Sequence, residues 1–258
     1  MSFMQFHRLV DVQARMALRA DASRYMFGYI WWILEPLLFV AVFYVVFGII
    51  LNTGRADFLV FLMCGKLPFI WFSKTVNQAS GSIVHNKGLI GKVNVTKMLF
   101  PLGIIQESLY KQSAVFALLF AVLAFNDYAV TTTHFWLIPL LLVNYLMIVV
   151  CSLIAACAVC IVRDFAMAIP LGMTFLLFSS GIFWDVRDLG DPHKTDLVLA
   201  LNPIAFLLDA YRQILMNQTP PDATHMGLMA LVLVVMLIGM VWFMGKASQY
   251  LALRALTA

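Results

Sequence analysis

One short segment of the sequence combines the side-chain types that acid–base or metal chemistry requires. Asp185, Asp188, Asp191 and His193 all lie within DVRDLGDPHKTD. Carboxylates beside a histidine can serve as general acid and base, or can hold a metal ion that activates water. An enzyme acting on lipid-linked sugars is the function that such a cluster would indicate. The glycine and the proline within it favour a solvated loop instead, so we expect no catalytic residue here.

A second candidate is the pair Cys157 and Cys160, whose spacing is found in metal and redox pairs. Both lie in CSLIAACAVC, a run of small residues, and the remaining cysteines, Cys64 and Cys151, also lie in apolar segments. Small residues on one helix face allow two helices to approach closely in a membrane. The sequence offers no complete zinc ligand set around them, so we predict helix packing and no metal site.

The composition indicates a membrane protein. Hydrophobic residues make up 63% of the 258 residues and charged residues only 12%, whereas a soluble domain has roughly 45–50% and about 25%. The apolar residues form runs long enough to cross a bilayer, where a helix satisfies its own backbone hydrogen bonds. We therefore predict an all-α polytopic membrane protein with a single transmembrane domain over 1–258. The six predicted spans cover about 27–51, 58–79, 98–125, 135–161, 165–183 and 226–245.

Two further helical segments flank these spans. Residues 2–24 place apolar and basic side chains on opposite faces, a pattern typical of an amphipathic helix that lies in the membrane interface. Residues 197–216 are apolar but broken at Asn202–Pro203, and each half is too short to cross the bilayer. We predict that they form a pair of short re-entrant helices hinged at Pro203.

The distribution of charge sets the predicted topology, because lysine and arginine are retained on the cytoplasmic side of membrane spans. With six spans, bases outnumber acids in the segments placed inside, and acids outnumber bases in those placed outside. A seventh span over 197–216 would move the basic tail, with Lys246 and Arg254, to the outside. We predict six spans with both termini in the cytoplasm, and no cleaved signal peptide.

Several charged residues fall inside the predicted spans, where a charge is costly unless it is paired. We expect Glu35, which precedes Pro36 in span 1, to pair with a basic residue near the cytosolic boundary. Glu107 and Lys111 have the spacing and order of an ion pair on one helix face. Lys66 either lines a hydrated pore or extends its ammonium along the helix to an interface, and both alternatives stay open.

The loop over 81–97, between spans 2 and 3, is basic and contains no acid. Its bases are His85, Lys87, Lys92 and Lys97. We predict that it lies in the cytosol, where a rigid connection between two spans could transmit movement into both. An ordinary solvated basic loop is the alternative. The sequence contains no G-x-x-x-x-G-K-[ST] phosphate loop, so nucleotide hydrolysis is expected on another chain.

Three segments resemble a known family. GYIWWILEP in span 1, VHNKGLIGKVNVTKMLFP in the basic loop and NPIAFLLDAYRQIL before the last span look like the ABC-2 type permeases that export bacterial cell-surface polysaccharides. The likeness extends over nearly the whole chain and is strongest to the Wzm-like branch that exports O-antigen. Capsule permeases of the KpsM kind and teichoic-acid permeases are similar.

The resemblance implies a homodimer in the bacterial inner membrane, in contact with membrane lipids and with two copies of a nucleotide-binding ATPase. ATP and Mg²⁺ would be held by that partner, with no cofactor on this chain and no nucleic acid bound. The resemblance also implies that the basic loop is a coupling helix, formed by His85, Asn86, Lys87, Gly88, Leu89 and Ile90. It implies an outer gate at Asn202, Pro203, Asp209 and Arg212, the last two meeting partners at the outer surface.

Aromatic stripes on spans 1 and 2 indicate a sugar polymer as cargo, because aromatic faces stack on the apolar face of a sugar ring. A polymer that must keep moving also needs weak binding at many sites. The predicted channel aromatics are Tyr25, Tyr29, Trp32, Phe39, Phe43, Phe47, Phe58, Phe61, Phe69 and Phe72. The alternative for each of them is helix packing or an interfacial aromatic belt.

Three bases near the inner mouth complete the set of candidates. Arg19, Arg24 and Lys74 could meet the pyrophosphate of a polyprenyl-linked glycan. The alternatives within transport are a capsular polysaccharide or teichoic-acid exporter, and an ABC-2 exporter of a small hydrophobic molecule.

Overall fold

The computed structural model describes residues 3–24, 26–51, 57–93, 95–128 and 131–257, and all regular secondary structure within these ranges is helical. The predicted all-α polytopic fold is therefore confirmed. The helices are α1 Phe3–Arg24, α2 Trp31–Phe43, α3 Phe58–Ser80, α4 Ser82–His85, α5 Lys87–Ile90, α6 Leu99–Phe125, α7 Leu137–Ile161, α8 Phe165–Ser179, α9 Pro192–Leu201, α10 Pro203–Leu215, α11 Ala223–Lys246 and α12 Ser248–Thr257. Short 3₁₀ helices precede α2, α7 and α9, and α2 continues as a π-helix over Tyr44–Ile50.

Five segments of the described chain are long and apolar enough to cross a membrane. They are Gly28–Ile50, Phe58–Ser80, Leu99–Phe125, Thr132–Ile161 and Ala223–Lys246. The pair α9 and α10 would count as a sixth span, although the two helices meet at an angle of 112°. The sequence instead placed a span over 165–183, where α8 has only 15 residues. A helix of that length reaches roughly 22 Å, short of the ~30 Å of hydrocarbon.

The bend between α9 and α10 lies at Asn202, immediately before Pro203, where the sequence predicted the hinge. The Asn202 side chain accepts hydrogen bonds from the backbone N–H groups of Ile204 and Ala205 and so caps α10. Pro203 occupies the first turn of α10, where its missing N–H costs no hydrogen bond. Every residue of α10 from Ile204 to Leu215 is buried.

The core of the subunit is built around α3. This helix packs against α6, α7 and α10, and 78% of its most apolar window is buried. A helix that is hydrophobic on all sides belongs inside a protein or a membrane bundle rather than at its surface. The window of Gly28–Ile50 is only 11% buried and that of Ala223–Lys246 only 17%, so these helices form the periphery of the single chain.

Helix α1 lies along α6, and its amphipathic pattern explains the contact. Gln13 sits against Gly103 of α6, where a Cβ atom would come within 2.7 Å of the glutamine side chain. The Tyr110 hydroxyl of α6 donates a hydrogen bond to Asp11, and this bond is the largest influence that lowers the pKa of Asp11. The opposite face exposes Met4 and Met16, each 67% exposed, as expected of a helix in a membrane interface.

Candidate functional site

A polar cavity lies between α1, α2, α3 and α6. It has a volume of about 320 Å³. Its walls combine charged side chains from all four helices with indole rings from α2 and α3. They include Asp21, Trp31, Trp32, Glu35, Trp71, Lys74, Gln78, Ser108, Lys111 and Gln112. We call it the tryptophan cavity.

The first ion pair in the wall joins spans 1 and 2. The Lys74 ammonium lies 2.6 Å from a carboxylate oxygen of Glu35, and both side chains are partly exposed. The predicted pairing of Glu35 with a base is thereby confirmed. Arg19 and Arg24 are exposed on α1 and do not line the cavity with Lys74. The three bases predicted for the inner mouth are therefore not brought together in one pocket.

The second ion pair joins α1 and α6. The Lys111 ammonium lies 2.8 Å from Glu107, which confirms the pair predicted from their spacing, and 2.6 Å from Asp21. The Trp32 indole N–H donates to the same Asp21 oxygen at 3.2 Å. Burial acts to raise the pKa of Asp21, but the hydrogen bonds and charge of Lys111, with the indole, outweigh it and lower that pKa. The sequence did not reveal Asp21, which lies 90 residues from Lys111.

Gln112 is a further wall residue that sequence reasoning missed. It is 6% exposed, and within the described chain its side-chain nitrogen has no hydrogen-bond partner. A buried amide without a partner costs free energy, typically about 1–3 kcal/mol. It lies between Lys111 and Ser113 in the polar stretch QESLYKQS of α6, so the sequence did not distinguish it from its neighbours.

The predicted coupling loop consists of α4 and α5, two single helical turns. His85, Lys87, Gly88 and Leu89 are exposed, and a Cβ atom at Gly88 would meet nothing within 4 Å. Ile83 and Ile90 are buried beneath them. The Asn86 side chain donates to the Ser82 carbonyl at 2.8 Å and fixes the junction of the two turns.

Not every base of this loop contributes to its surface charge. Lys97 is 5% exposed, and its ammonium donates to the Val95 carbonyl at 3.0 Å. The helices behind the loop are α6, α7 and the C-terminal helix α12. The exposed bases are therefore His85, Lys87 and Lys92.

The aromatic stripe predicted on span 2 belongs to the core, which corrects the sequence interpretation. Phe58, Phe61, Phe69 and Phe72 are each at most 4% exposed within the single chain, so they cannot line a channel at its surface. The physical reason is that α3 packs against α6, α7 and α10, so neighbouring helices cover these rings.

The aromatic residues of span 1 that were predicted to line a channel differ in their exposure. Tyr29 and Phe39 are exposed by 56% and 49%. Phe43 and Phe47 pack on Phe183, with ring centroids 4.7 and 4.6 Å away. Trp32 lines the tryptophan cavity, and Tyr25 lies outside the described residues.

Lys66 adopts neither of the two positions left open by the sequence. It is 5% exposed, and its ammonium lies 4.5 Å from the ring centroid of Phe43, 5.8 Å from that of Phe69 and 5.9 Å from that of Phe183. Among the described residues no carboxylate forms an ion pair with it. Aromatic faces attract a cation through the ring quadrupole, and the attraction strengthens when water is excluded.

Asp209 and Arg212 have partners inside the chain, so the prediction that they meet partners at the outer surface is wrong. Both are 4% exposed. The Arg187 guanidinium donates two hydrogen bonds to Asp209, at 2.9 and 2.8 Å, and hydrogen bonding to Asp209 is the main cause that raises the pKa of Arg187. The Arg212 guanidinium donates to the carbonyls of Gly181 and Ile182 at 2.6 and 3.0 Å.

Arg212 also forms a hydrogen bond with the backbone of α3. Its Nε donates to the Phe61 carbonyl at 3.4 Å, and its guanidinium carbon lies 3.5 Å above the Phe61 ring centroid. Gly65 makes room for it, since a Cβ atom there would come within 2.5 Å of the guanidinium. Arg212 thus joins α10, α3 and the non-helical segment that follows α8.

The acidic cluster near α9 has a structural role in the described chain. Asp185 and Asp191 each accept a hydrogen bond from a backbone N–H two residues on, at 3.0 Å, as helix N-caps do. Within the described residues no three His, Cys, Asp or Glu side chains form a group that could hold a metal ion. Cys157 and Cys160 are buried in α7, and the Cys160 thiol contacts the Leu251 carbonyl of α12.

These elements define the class of the protein: a multi-pass α-helical membrane protein with a broken helix pair and an exposed basic loop. Comparison with known proteins shows which membrane proteins the chain is similar to. No family model matches the chain. Over 235 residues it is 25% identical to the O-antigen export system permease protein RfbA of Myxococcus xanthus, covering 90% of each chain. It is 23% identical over 211 residues to RfbA of Klebsiella pneumoniae, covering 81% of this chain and 80% of the relative.

A third relative is the polysialic acid transport protein KpsM of Escherichia coli. The chain is 23% identical to it over 242 residues, which cover 91% of this chain and 92% of the relative. The resemblance to polysaccharide export permeases that three sequence segments indicated is thereby confirmed.

Proposed function

We propose that this chain is the permease subunit of an ABC transporter that exports a lipid-linked cell-surface polysaccharide across the bacterial inner membrane. The observation that carries the proposal is the likeness to O-antigen and polysialic acid transport proteins over nine-tenths of the chain. Two copies of the chain would associate and dock two copies of an ATPase that binds ATP and Mg²⁺. Both termini and the loop over 81–97 would then face the cytoplasm, and this chain would need no cofactor of its own.

The coupling loop has the features that a docking site for the ATPase needs. Leu89 and Val93 are 45% and 48% exposed, beside the exposed bases Lys87 and Lys92. Apolar side chains ringed by charge are typical of a protein interface. Ile90 is buried beneath them, next to α12, so displacement of the loop would pass into the C-terminal helix as well as into α3 and α6.

The route for the polysaccharide is proposed to lie between the two copies. Helices α2, α8 and α11 expose large apolar side chains that lipid or a second copy must cover, among them Phe39, Leu171 and Val235, which are 49%, 71% and 62% exposed. Tyr29 and Phe39 are the predicted channel aromatics that lie on this surface. They are the residues we propose to contact the sugar chain.

Charge reversal at the loop tests the docking proposal. Lys87→Glu should reduce co-purification of the ATPase subunit and abolish the stimulation of ATP hydrolysis by the permease. The reason is that the substitution reverses a charge at the rim of the proposed interface. Arg163→Glu is the matched control, since Arg163 is exposed in the α7–α8 turn on the side predicted to be cytoplasmic. Equal co-purification of the wild type and Lys87→Glu would contradict docking at this loop.

Deletion of the gene tests the cargo. The expected result is an accumulation of a lipid-linked glycan on the cytoplasmic side, together with loss of that glycan from the cell surface. The structure of the accumulated glycan would assign O-antigen, capsule or teichoic acid. A cell surface with unchanged glycans, and a changed resistance to small hydrophobic compounds, would favour the alternative exporter.

A further inference from the structure

The tryptophan cavity has the composition of a carbohydrate site. We propose that it binds one sugar ring, and, resting on the proposed function, that this ring is the membrane-proximal sugar of the lipid-linked glycan before translocation. Sugar rings could also come from a glycolipid of the membrane, and the experiment below separates the two sources.

The balance of charge in the wall favours a neutral ligand. Asp21 and Glu35 face Lys111 and Lys74, and each ammonium lies 2.6 Å from its carboxylate. A phosphate would need a cation that is not already neutralised, and the exposed bases Arg19 and Arg24 do not line the cavity. Lys111 also contacts Glu107 at 2.8 Å, so both ammoniums of the wall are neutralised and neither is free to bind an anion.

The hydrogen-bonding groups of the wall favour a ligand rich in hydroxyls. Gln112 is 6% exposed and its amide nitrogen lacks an acceptor within the described chain, whereas the Thr75 hydroxyl already donates to the Trp71 carbonyl at 2.6 Å. A hydroxyl can accept from the amide and donate to a carboxylate oxygen at the same time. An alkyl chain in this cavity would leave the amide without a partner and would remove water from the ion pairs, and both effects are costly.

The indole rings provide the apolar part of the cavity wall, against which the C–H face of a sugar could pack. Trp31 and Trp32 of α2 and Trp71 of α3 all reach the wall, and indole faces stack on the C–H face of a pyranose. Trp32 and Trp71 are held by hydrogen bonds to Asp21 and Ser108, at 3.2 and 3.3 Å, so their rings are oriented before a ligand enters. The volume of about 320 Å³ accommodates a single hexose ring with ordered water.

The position of the cavity fits a ligand held at headgroup depth. One wall is the end of α1, the amphipathic helix, and Gln78, exposed near the end of α3, marks the side toward the coupling loop. The first sugar of a lipid-linked glycan lies at this depth while its lipid is in the leaflet. The cavity is therefore at the depth in the membrane interface at which the first sugar of the proposed cargo would be held before translocation.

Binding is tested on the purified permease–ATPase complex with methyl glycosides of glucose, mannose, galactose and N-acetylglucosamine as probes. Saturation-transfer NMR and indole fluorescence should detect at least one glycoside at millimolar concentration, and inorganic phosphate should not compete. Gln112→Met should weaken that binding roughly three- to tenfold through loss of one hydrogen bond. Gln106→Met on the same helix, outside the cavity, should leave it unchanged.

A stability measurement separates binding from folding. Because the Gln112 amide nitrogen has no partner, Gln112→Met should keep or raise the Tm, so weakened binding at an unchanged Tm supports the site. Absence of binding by every glycoside, competition by phosphate, or equal binding by Gln112→Met and the wild type would overturn the proposal. None of these results would alter ATPase docking or glycan accumulation, which test the proposed function separately.

Two further probes identify the source of the ring. Lipid-linked glycan extracted from the deletion strain and vesicles containing a neutral glycolipid are each titrated against the complex. Competition by the extracted glycan supports the cargo as the ligand. Competition by the glycolipid vesicles alone overturns that assignment while supporting the site as a carbohydrate site.

Discussion

Replacing Arg212 by lysine should destabilise the subunit although the positive charge is kept. The guanidinium reaches three backbone carbonyls, those of Gly181, Ile182 and Phe61, at 2.6, 3.0 and 3.4 Å. They belong to two separate elements, and the single nitrogen of a lysine cannot contact both. A planar fork of donors is therefore required at this position.

The magnitude follows from the hydrogen bonds that are lost. A hydrogen bond from a charged donor contributes about 1.5–3 kcal/mol, and lysine, whose single nitrogen can serve only one of the two elements, should lose one or two of them. We expect a loss of about 2–5 kcal/mol in the free energy of unfolding, since the contributions overlap. For a chain of this size each kcal/mol lowers Tm by roughly 2–4 °C, so Tm should fall by roughly 4–20 °C.

The assay is thermal unfolding of the purified subunit in one detergent, followed by indole fluorescence. Arg163→Lys, at an exposed position, is the matched control and should not change Tm. Arg212→Met, which leaves all three carbonyls without their donor, should be at least as unstable as Arg212→Lys. A fall of less than about 2 °C for Arg212→Lys would refute the reasoning, and so would a wild-type Tm for Arg212→Met.

Three further substitutions address other contacts. Asp21→Asn should lower Tm at pH 7, and because Lys111 holds the pKa of Asp21 below 3.8, the difference from the wild type should shrink only as the pH of the melt falls below 3.8 toward that lowered pKa. Lys66→Met should keep or raise Tm, because it removes a buried cation that has no carboxylate partner among the described residues; a fall of several degrees would show that the three aromatic contacts outweigh desolvation. Gly65→Ala should lower the yield of folded protein, as its Cβ would meet the buried guanidinium at 2.5 Å, whereas Gly88→Ala should be silent in the same assay.

Local contacts were predictable from the sequence, and distant ones were not. The pair Glu107–Lys111 follows from a spacing of four residues on one helix. Asp21 joins the same lysine from 90 residues away, and the partner of Asp209 is 22 residues away in a short 3₁₀ helix. No pattern along the chain specifies such contacts, because they depend on how helices are placed against one another.

The aromatic residues illustrate a different cause of error. Periodicity assigns side chains to a helix face, but it does not say what covers that face. In α3 other helices cover the face that carries these rings, so the stripe that ends at Phe72 is core. In α2 part of the surface is left open, and Phe39 remains accessible. The tryptophan cavity was missed for the same reason, since its walls come from four helices.

The contacts of Arg212 also bear on how the polypeptide enters the bilayer. Helix α8 ends at Ser179, and the carbonyls that follow it would be unsatisfied in hydrocarbon until α10 delivers its guanidinium. A nascent chain that stopped before Arg212 would leave the carbonyls of Gly181 and Ile182 without their donor. Residues 165–215 are therefore expected to leave the insertion machinery together, as one cooperative unit. Their release into lipid should be delayed until α10 has been translated.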